Sequence, residues 1–323
     1  MTSFIIRRII QILPVFVGIM MILFILFEMA PGEPLANLQD PRITVEHRER
    51  MLYRFGLHLP LHQRFINWMG DAITGDFGES IMHRRPVSEI IAGAMVPTIT
   101  LSIAAMLVSL LVGIPLGILS AIYKGKPIDN FFTIIAFIGI SIPGFFFGVL
   151  LIMIFSLNLE LTPISGFASA PHLMRDASLI QIYMDRAWHL ALPVTVMGLI
   201  GSAGYMRYTR TSMLEVINSD YIRTARAKGL KERKIIFRHA LRNALIPIIT
   251  LMGLQLPALF SGAAITEAVF GLPGLGQIMI QAVGGRNFPI IAGIITMIAI
   301  ITLVAALIAE IMYAVVDPRV KYD

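Results

Sequence analysis

TITLSIAAMLVSLLVGIPLGILSAIY, residues 98–123, contains no Asp, Glu, Lys or Arg. It exceeds the roughly 18 uninterrupted apolar residues that mark a membrane-crossing helix. Inside hydrocarbon a backbone must satisfy its own hydrogen bonds, so the run predicts an α-helix; it is too long and too continuous for a barrel strand. Five more apolar runs share this character, at 9–27, 131–159, 187–206, 244–266 and 288–309. The expected fold class is therefore all-α and integral to the membrane, with six transmembrane helices. Composition agrees: 56% of the 323 residues are apolar and 14% are charged, against roughly 25% charged in soluble domains.

Arg7 and Arg8 before the first run resemble a signal peptide, but the run is too long for one. Met29-Ala30-Pro31-Gly32 offers no small-x-small cleavage pattern, so an uncleaved span is expected. There is no cysteine, which excludes disulfides and thiolate metal sites. Gly125-Lys126 is followed by Pro127, so no phosphate-binding loop is present, and Gly271-x-x-Gly274-x-Gly276 lacks dinucleotide spacing. Neither a metalloprotease motif nor a nucleophile elbow occurs. The chain is expected not to be an enzyme, with any ATP hydrolysed elsewhere.

Charge sets the expected orientation. Arg7, Arg8, Lys124, Lys126, the ten Lys/Arg of 207–242, Arg319 and Lys321 fall on one side; Arg175, Arg186 and Arg286 fall in the two shorter loops opposite. The positive-inside rule places the first set, and both termini, in the cytoplasm. The loop at 31–97 mixes seven basic and eight acidic residues, and loops that long translocate regardless of charge. Within it 45–55 and 62–72 read as amphipathic helices, and Pro86 is placed to open a third helix. Pro14, Pro115, Pro143, Pro193 and Pro257 interrupt spans and predict kinks. Gly113-x3-Gly117 and Gly144-x3-Gly148 predict close helix contacts. Glu28, Glu267, Glu310 and His189 lie near the spans, with the acids expected at the interface.

The basic segment 207–242 carries ten cations against Glu215, Asp220 and Glu232. Ser219 is the expected N-cap of a short helix, Asp220 suits its positive start, and Arg226 and Lys228 suit its end. Gly229 fits the left-handed position that stops a helix. Tyr221, Ile222 and Ala225 form a small apolar face. A second helix from about Lys231 is expected to align Phe237, Leu241, Ala244 and Leu245. The charge alone fits either a hairpin lying on anionic lipid or a surface for a docked protein. Two flanking spans argue against nucleic acid.

The spacing Ala225-x3-Gly229, with Leu241 twelve residues later, resembles the Glu-Ala-Ala-x3-Gly-x9-Ile-x-Leu-Pro loop of type I ABC importer permeases. Arg223, Thr224, His239 and Arg242 depart from it. The rest of the chain is more specific. Ala30-Pro31-Gly32-Glu33-Pro34, Gly75-Asp76-Phe77-Gly78-Glu79-Ser80, Arg85-Pro86-Val87 and Ser141-Ile142-Pro143 resemble motifs of the dipeptide/oligopeptide/nickel permease family. So do Arg238-His239-Ala240-Leu241-Arg242-Asn243, Glu267-x2-Phe270-Gly271-Leu272-Pro273-Gly274-Leu275-Gly276 and Asp317-Pro318-Arg319. The long first outer loop resembles the B-type member of the usual permease pair.

That resemblance implies an inner permease subunit of a binding-protein-dependent importer in a bacterial or archaeal plasma membrane. Its implied organisation is a first helix at 1–30, an extracytoplasmic loop at 31–97 and a five-helix permease core at 98–323. It implies a homologous second permease, two ATP-binding subunits that hold ATP and Mg, and an extracytoplasmic solute-binding protein, all in the lipid bilayer. No cofactor is implied for this chain. Residues 219–230 would be the coupling helix, contacting an ATPase through Asp220, Tyr221, Arg223, Thr224, Ala225, Arg226, Lys228, Gly229 and Leu230. Peptides are the implied cargo, with nickel or another small solute as the alternative. An ion-coupled secondary carrier is the alternative class, disfavoured because deep acids and an internal repeat are absent from the sequence.

Overall fold

A computed structural model describes residues 2–29, 59–80, 82–170 and 177–316. The expected helix at 45–55 lies outside these residues. Among those described, the secondary structure is helical apart from one isolated bridge between Glu79 and Pro86. The chain divides into two compact units, Met1–Ala94 with Ile278–Asp323, and Met95–Gln277.

In the first unit, α1 (Thr2–Met29) packs along the final helix, Phe288–Val316. Helix α2 (Leu61–Thr74) covers the predicted 62–72 and is amphipathic. It buries Ala72 against Met20 and Leu23, with Phe16, Phe65, Trp68 and Phe77 around them. Gly75 ends it at φ +80°, a conformation that glycine adopts without steric cost. Arg64 pairs with Glu28 at 3.0 Å. The turn that follows is anchored on buried Ser80, whose Oγ accepts from Asn287 Nδ2 at 2.7 Å and from the His83 N–H at 3.1 Å. Helix α3 (Val87–Ile122) then starts one residue after Pro86 and contains both Pro97 and Pro115.

The second unit continues with α4 (Pro127–Ser141), α5 (Gly144–Asn158), α6 (Leu179–Ile217), α7 (Asp220–Ala227), α8 (Glu232–Ser261) and α9 (Ala264–Val269). Helix α10 (Leu275–Gly284) crosses the division between units, and the final helix is α11. Among the described residues, four helices are long and apolar enough to cross a membrane: α3, α6, α8 and α11. The run 131–159, read as one span, is instead two helices bent by 96° between Ser141 and Gly144. The cause is local. Pro143 drives the residue before it out of the helical region, and Ile142 is extended at ψ 123°. Counted together, α4 and α5 make a fifth candidate; the first expected span corresponds to Ile10–Leu26, a shorter apolar stretch of α1.

Helices α3 and α6 approach to backbone distance. A Cβ on Gly113 would lie 2.6 Å from the Ser202 carbonyl oxygen, and one on Gly117 would lie 2.6 Å from that of Met206. From the other side, a Cβ on Gly198 would lie 2.5 Å from Val108 Cγ1. The glycine pair read from the sequence is thus a helix-contact face, as small-residue spacing predicts. Gly117→Leu should lower the stability of the detergent-solubilised chain by about 1–3 kcal/mol, the usual cost of overpacking. Gly139→Ala, in open space within α4, should leave the melting temperature unchanged or raise it. Equal melting temperatures for the two variants would show that α3 and α6 do not need this contact.

Candidate functional site

Helix α6 runs past its apolar section to Ile217, the chain turns at Asn218 and Ser219, and α7 begins. Ser219 occupies the N-cap position by backbone, at φ −72° and ψ 154°. Its hydroxyl does not cap α7 as expected. It donates to the Val216 carbonyl at 2.6 Å and so closes the end of α6 instead. Helix α7 ends where the sequence predicted: Gly229 has φ +73°, and its N–H donates to the Arg226 carbonyl at 2.9 Å. A Cβ there would meet nothing within 4 Å. The requirement for glycine comes from the left-handed backbone and not from crowding.

One side chain holds α7 down. Ile222 is fully buried among Ile118 and Ala121 of α3, Met213 of α6, and Ile235, Ala240 and Ala244 of α8. Ala225 and Leu230 lie half-buried at the margin of that cluster. Tyr221 is about half exposed, its hydroxyl accepting from Asn243 Nδ2 at 2.7 Å. Arg226 Nε lies 2.6 Å from Glu232 Oε1, bracing α7 against the start of α8. Asp220, Arg223, Thr224 and Lys228 are exposed. The Arg223–Asp220 pair, 3.5 Å apart at the surface, contributes little in water. The nine residues singled out in the sequence lie together on α7 and its exit; most are exposed and form a polar outer face, while Ile222, outside that set, supplies the buried anchor.

The start of α8 differs from expectation. Ile235–Ala240 is a π-helical turn, in which bonds reach five residues instead of four. The buried stripe becomes Ile235, Ala240 and Ala244, and Phe237 is 55% exposed. The one-residue register shift separates Phe237 from Leu241, which an uninterrupted α-helix would have kept on one face.

Beside this cluster lies an ion pair absent from the sequence-based reading. Asp129, 3% exposed, accepts from Arg210 Nε at 2.8 Å and Nη2 at 2.9 Å. Ser120 Oγ donates to the same carboxylate, and the Gly125 N–H does so at 2.9 Å. The arrangement fastens the α3–α4 corner to α6. Its signal in sequence was a single acid between two uncharged runs, but the partner is 81 residues away.

In the same unit, Glu267 is fully buried within the protein, a side chain enclosed by its own chain where one reaching the interface was expected. Its Oε1 accepts from Thr98 Oγ1 at 2.8 Å and from the Ala263 N–H at 3.3 Å; Oε2 accepts from the Gln277 N–H at 3.0 Å. Gly274 leaves room for this carboxylate, because a Cβ there would lie 2.5 Å from Oε2. Gly274 thus packs against the buried acid, while Gly271 sits in a left-handed turn beside Ser165 and Gly276 packs against Ala264.

Residues 113–322 match the family described as "Binding-protein-dependent transport system inner membrane component", and residues 1–104 match its N-terminal companion. The chain is 40% identical to the oligopeptide transport system permease protein AppB of Bacillus subtilis (strain 168), covering all of both chains. It is 36% identical to the dipeptide transport system permease protein DppB of Escherichia coli (strain K12), over 100% of this chain and 99% of that one. Identity to the glutathione transport system permease protein GsiC of the same strain is 33% over the full length of both. The fold is similar to a chain of the MetNI methionine ABC transporter in inward-facing form, with a TM-score of 0.53 and 19% identity, covering 71% of this chain and 96% of that one.

Truncating the anchor tests the geometry. Ile222→Ala should cost α7 about 2–5 kcal/mol of local stability. Amide exchange across 220–227 should then accelerate on the order of thirtyfold or more. Unchanged exchange would mean that Ile222 does not hold the helix.

Proposed function

Because the chain belongs to the family of binding-protein-dependent transport system inner membrane components, we propose that it is the B-type permease subunit of an ATP-driven peptide importer. It forms half of the translocation pathway and converts the movement of an ATPase into movement of its own helices. Supporting the peptide cargo are full-length relatives whose names specify oligopeptide, dipeptide and glutathione transport. The complete assembly in this reading has a homologous second permease, two ATP-binding subunits holding ATP and Mg, and an extracytoplasmic solute-binding protein. Both termini and α7 face the cytoplasm, which the concentration of Lys and Arg at 207–242 supports. The segment 31–97 is extracytoplasmic.

The coupling assignment rests on one observation: α7 exposes its polar face while Ile222 is buried among residues of α3, α6 and α8. A force applied to α7 acts on all three helices, because packed interfaces shift between discrete arrangements and do not deform continuously. Arg223 and Lys228 are available to acidic groups on the ATPase, and Arg226 already braces α7 internally.

The absence of native cysteine allows a direct test. Ala225 is half-buried, so the exposed neighbour Thr224 is the better probe position. A Thr224→Cys permease, assembled with ATPase subunits carrying a thiol in their docking groove, should crosslink in at least one nucleotide state. No crosslink in any state would remove the coupling role. A second test concerns the turn. Gly229→Val forces a β-branched residue into left-handed backbone, at a cost of roughly 1–2 kcal/mol. It should abolish ATP-driven uptake in proteoliposomes while leaving membrane insertion intact; normal uptake would refute the role given to the turn. Uptake by the chain alone on an ion gradient would instead identify a secondary carrier.

A further inference from the structure

The apolar run 244–266 has one strongly polar side chain near its middle, Gln255. At 1.5 Å per residue it lies about 17 Å along the run from Ala244, close to the midplane of a core roughly 30 Å thick. The backbone of α8 is irregular at the same place. Ile246–Leu254 is helical, 255–257 form turns, and Ala258–Ser261 resumes. Pro257 supplies no N–H, and the local bonds shorten to three-residue steps, Ala258 N–H to Gln255 oxygen at 3.0 Å and Phe260 N–H to Pro257 oxygen at 3.1 Å. Irregular backbone at membrane depth persists only where it is covered by protein or lines an aqueous cavity. The Gln255 side chain is exposed in this chain, and lipid tails offer no hydrogen-bond partner.

Tyr205 of α6 orients the amide. This residue is 5% exposed, and its hydroxyl donates to Gln255 Oε1 at 3.1 Å. With its oxygen engaged, Gln255 presents its NH2 group, two donors without a hydrogen-bond partner among the described residues. Open space adjoins both elements, since a Cβ on Gly204 or Gly253 would meet nothing within 4 Å.

We propose that Gln255, positioned by Tyr205, is a hydrogen-bonding station for the backbone of the peptide in transit. The inference rests on the peptide-importer reading. Fixed donors complement carbonyl and terminal carboxylate oxygens, which every peptide carries whatever its side chains. A neutral donor holds them weakly. No Lys or Arg occurs in 244–266, so nothing in this run traps a carboxylate, and passage requires binding weak enough to release.

The test uses the complete importer in proteoliposomes, with tritiated trialanine as probe and the number of peptides taken up per ATP hydrolysed as readout. Gln255→Leu should reduce that ratio about tenfold, as expected for losing one or two hydrogen bonds. Gln255→Asn should stay within about threefold of wild type, and Tyr205→Phe should lose about threefold. A ratio unaffected by Gln255→Leu would overturn the station. So would loss of the second permease on purification of that variant, since Gln255 would then be an assembly contact. Failure of wild type to take up trialanine would overturn the peptide reading itself, an outcome separate from a coupled wild type that is indifferent to residue 255.

Discussion

Ile222 is a single side chain inserted where residues from α3, α6 and α8 converge. Its burial is favourable by roughly 1.5–3 kcal/mol as hydrophobic transfer alone. Helix α7 spans only Asp220–Ala227, well below the length at which an isolated helix is stable in water. Its existence in this orientation therefore depends on the cluster that receives Ile222. The other local devices serve the same end. Ser219 closes α6 immediately before α7, Gly229 turns the chain immediately after it, and the π turn brings Ile235 and Ala240 to one face beneath it.

Much of this was legible because it is local. A charge-free run identifies a span without knowledge of its neighbours, and a glycine after a basic helical segment identifies a stop. The α2 boundaries and the left-handed Gly229 followed from such patterns. Departures arose where the determining atom is distant or where hydropathy carries no directional information. The run 131–159 is uncharged throughout, so composition could not reveal the 96° change of direction; Pro143 marked its place but not its size. Nothing in the spacing of Ile235–Ala240 announces a π turn, because its apolar residues fit either register. Glu267 read as an isolated acid and Asp129 was not singled out, since their partners Thr98 and Arg210 are 169 and 81 residues away.

The two buried acids solve different problems. Glu267 is satisfied by one hydroxyl and backbone N–H groups, and so organises loop backbone with no counter-ion among the described residues. A carboxylate that accepts several such bonds is compatible with a buried position. Asp129 faces an arginine and links two lengths of chain far apart in sequence. Removing either partner of such a pair would leave an uncompensated charge, which generally costs more than the intact pair contributes.

The two-point contact of Arg210 with Asp129 has a mechanical consequence. A single hydrogen bond acts as a swivel, whereas a planar fork meeting a carboxylate at Nε and Nη2 resists twisting as well as separation. The contact joins the α3–α4 corner to the part of α6 just before α7. Any torque applied to α7 would thus be carried into that corner instead of being dissipated by α6 spinning about its own axis.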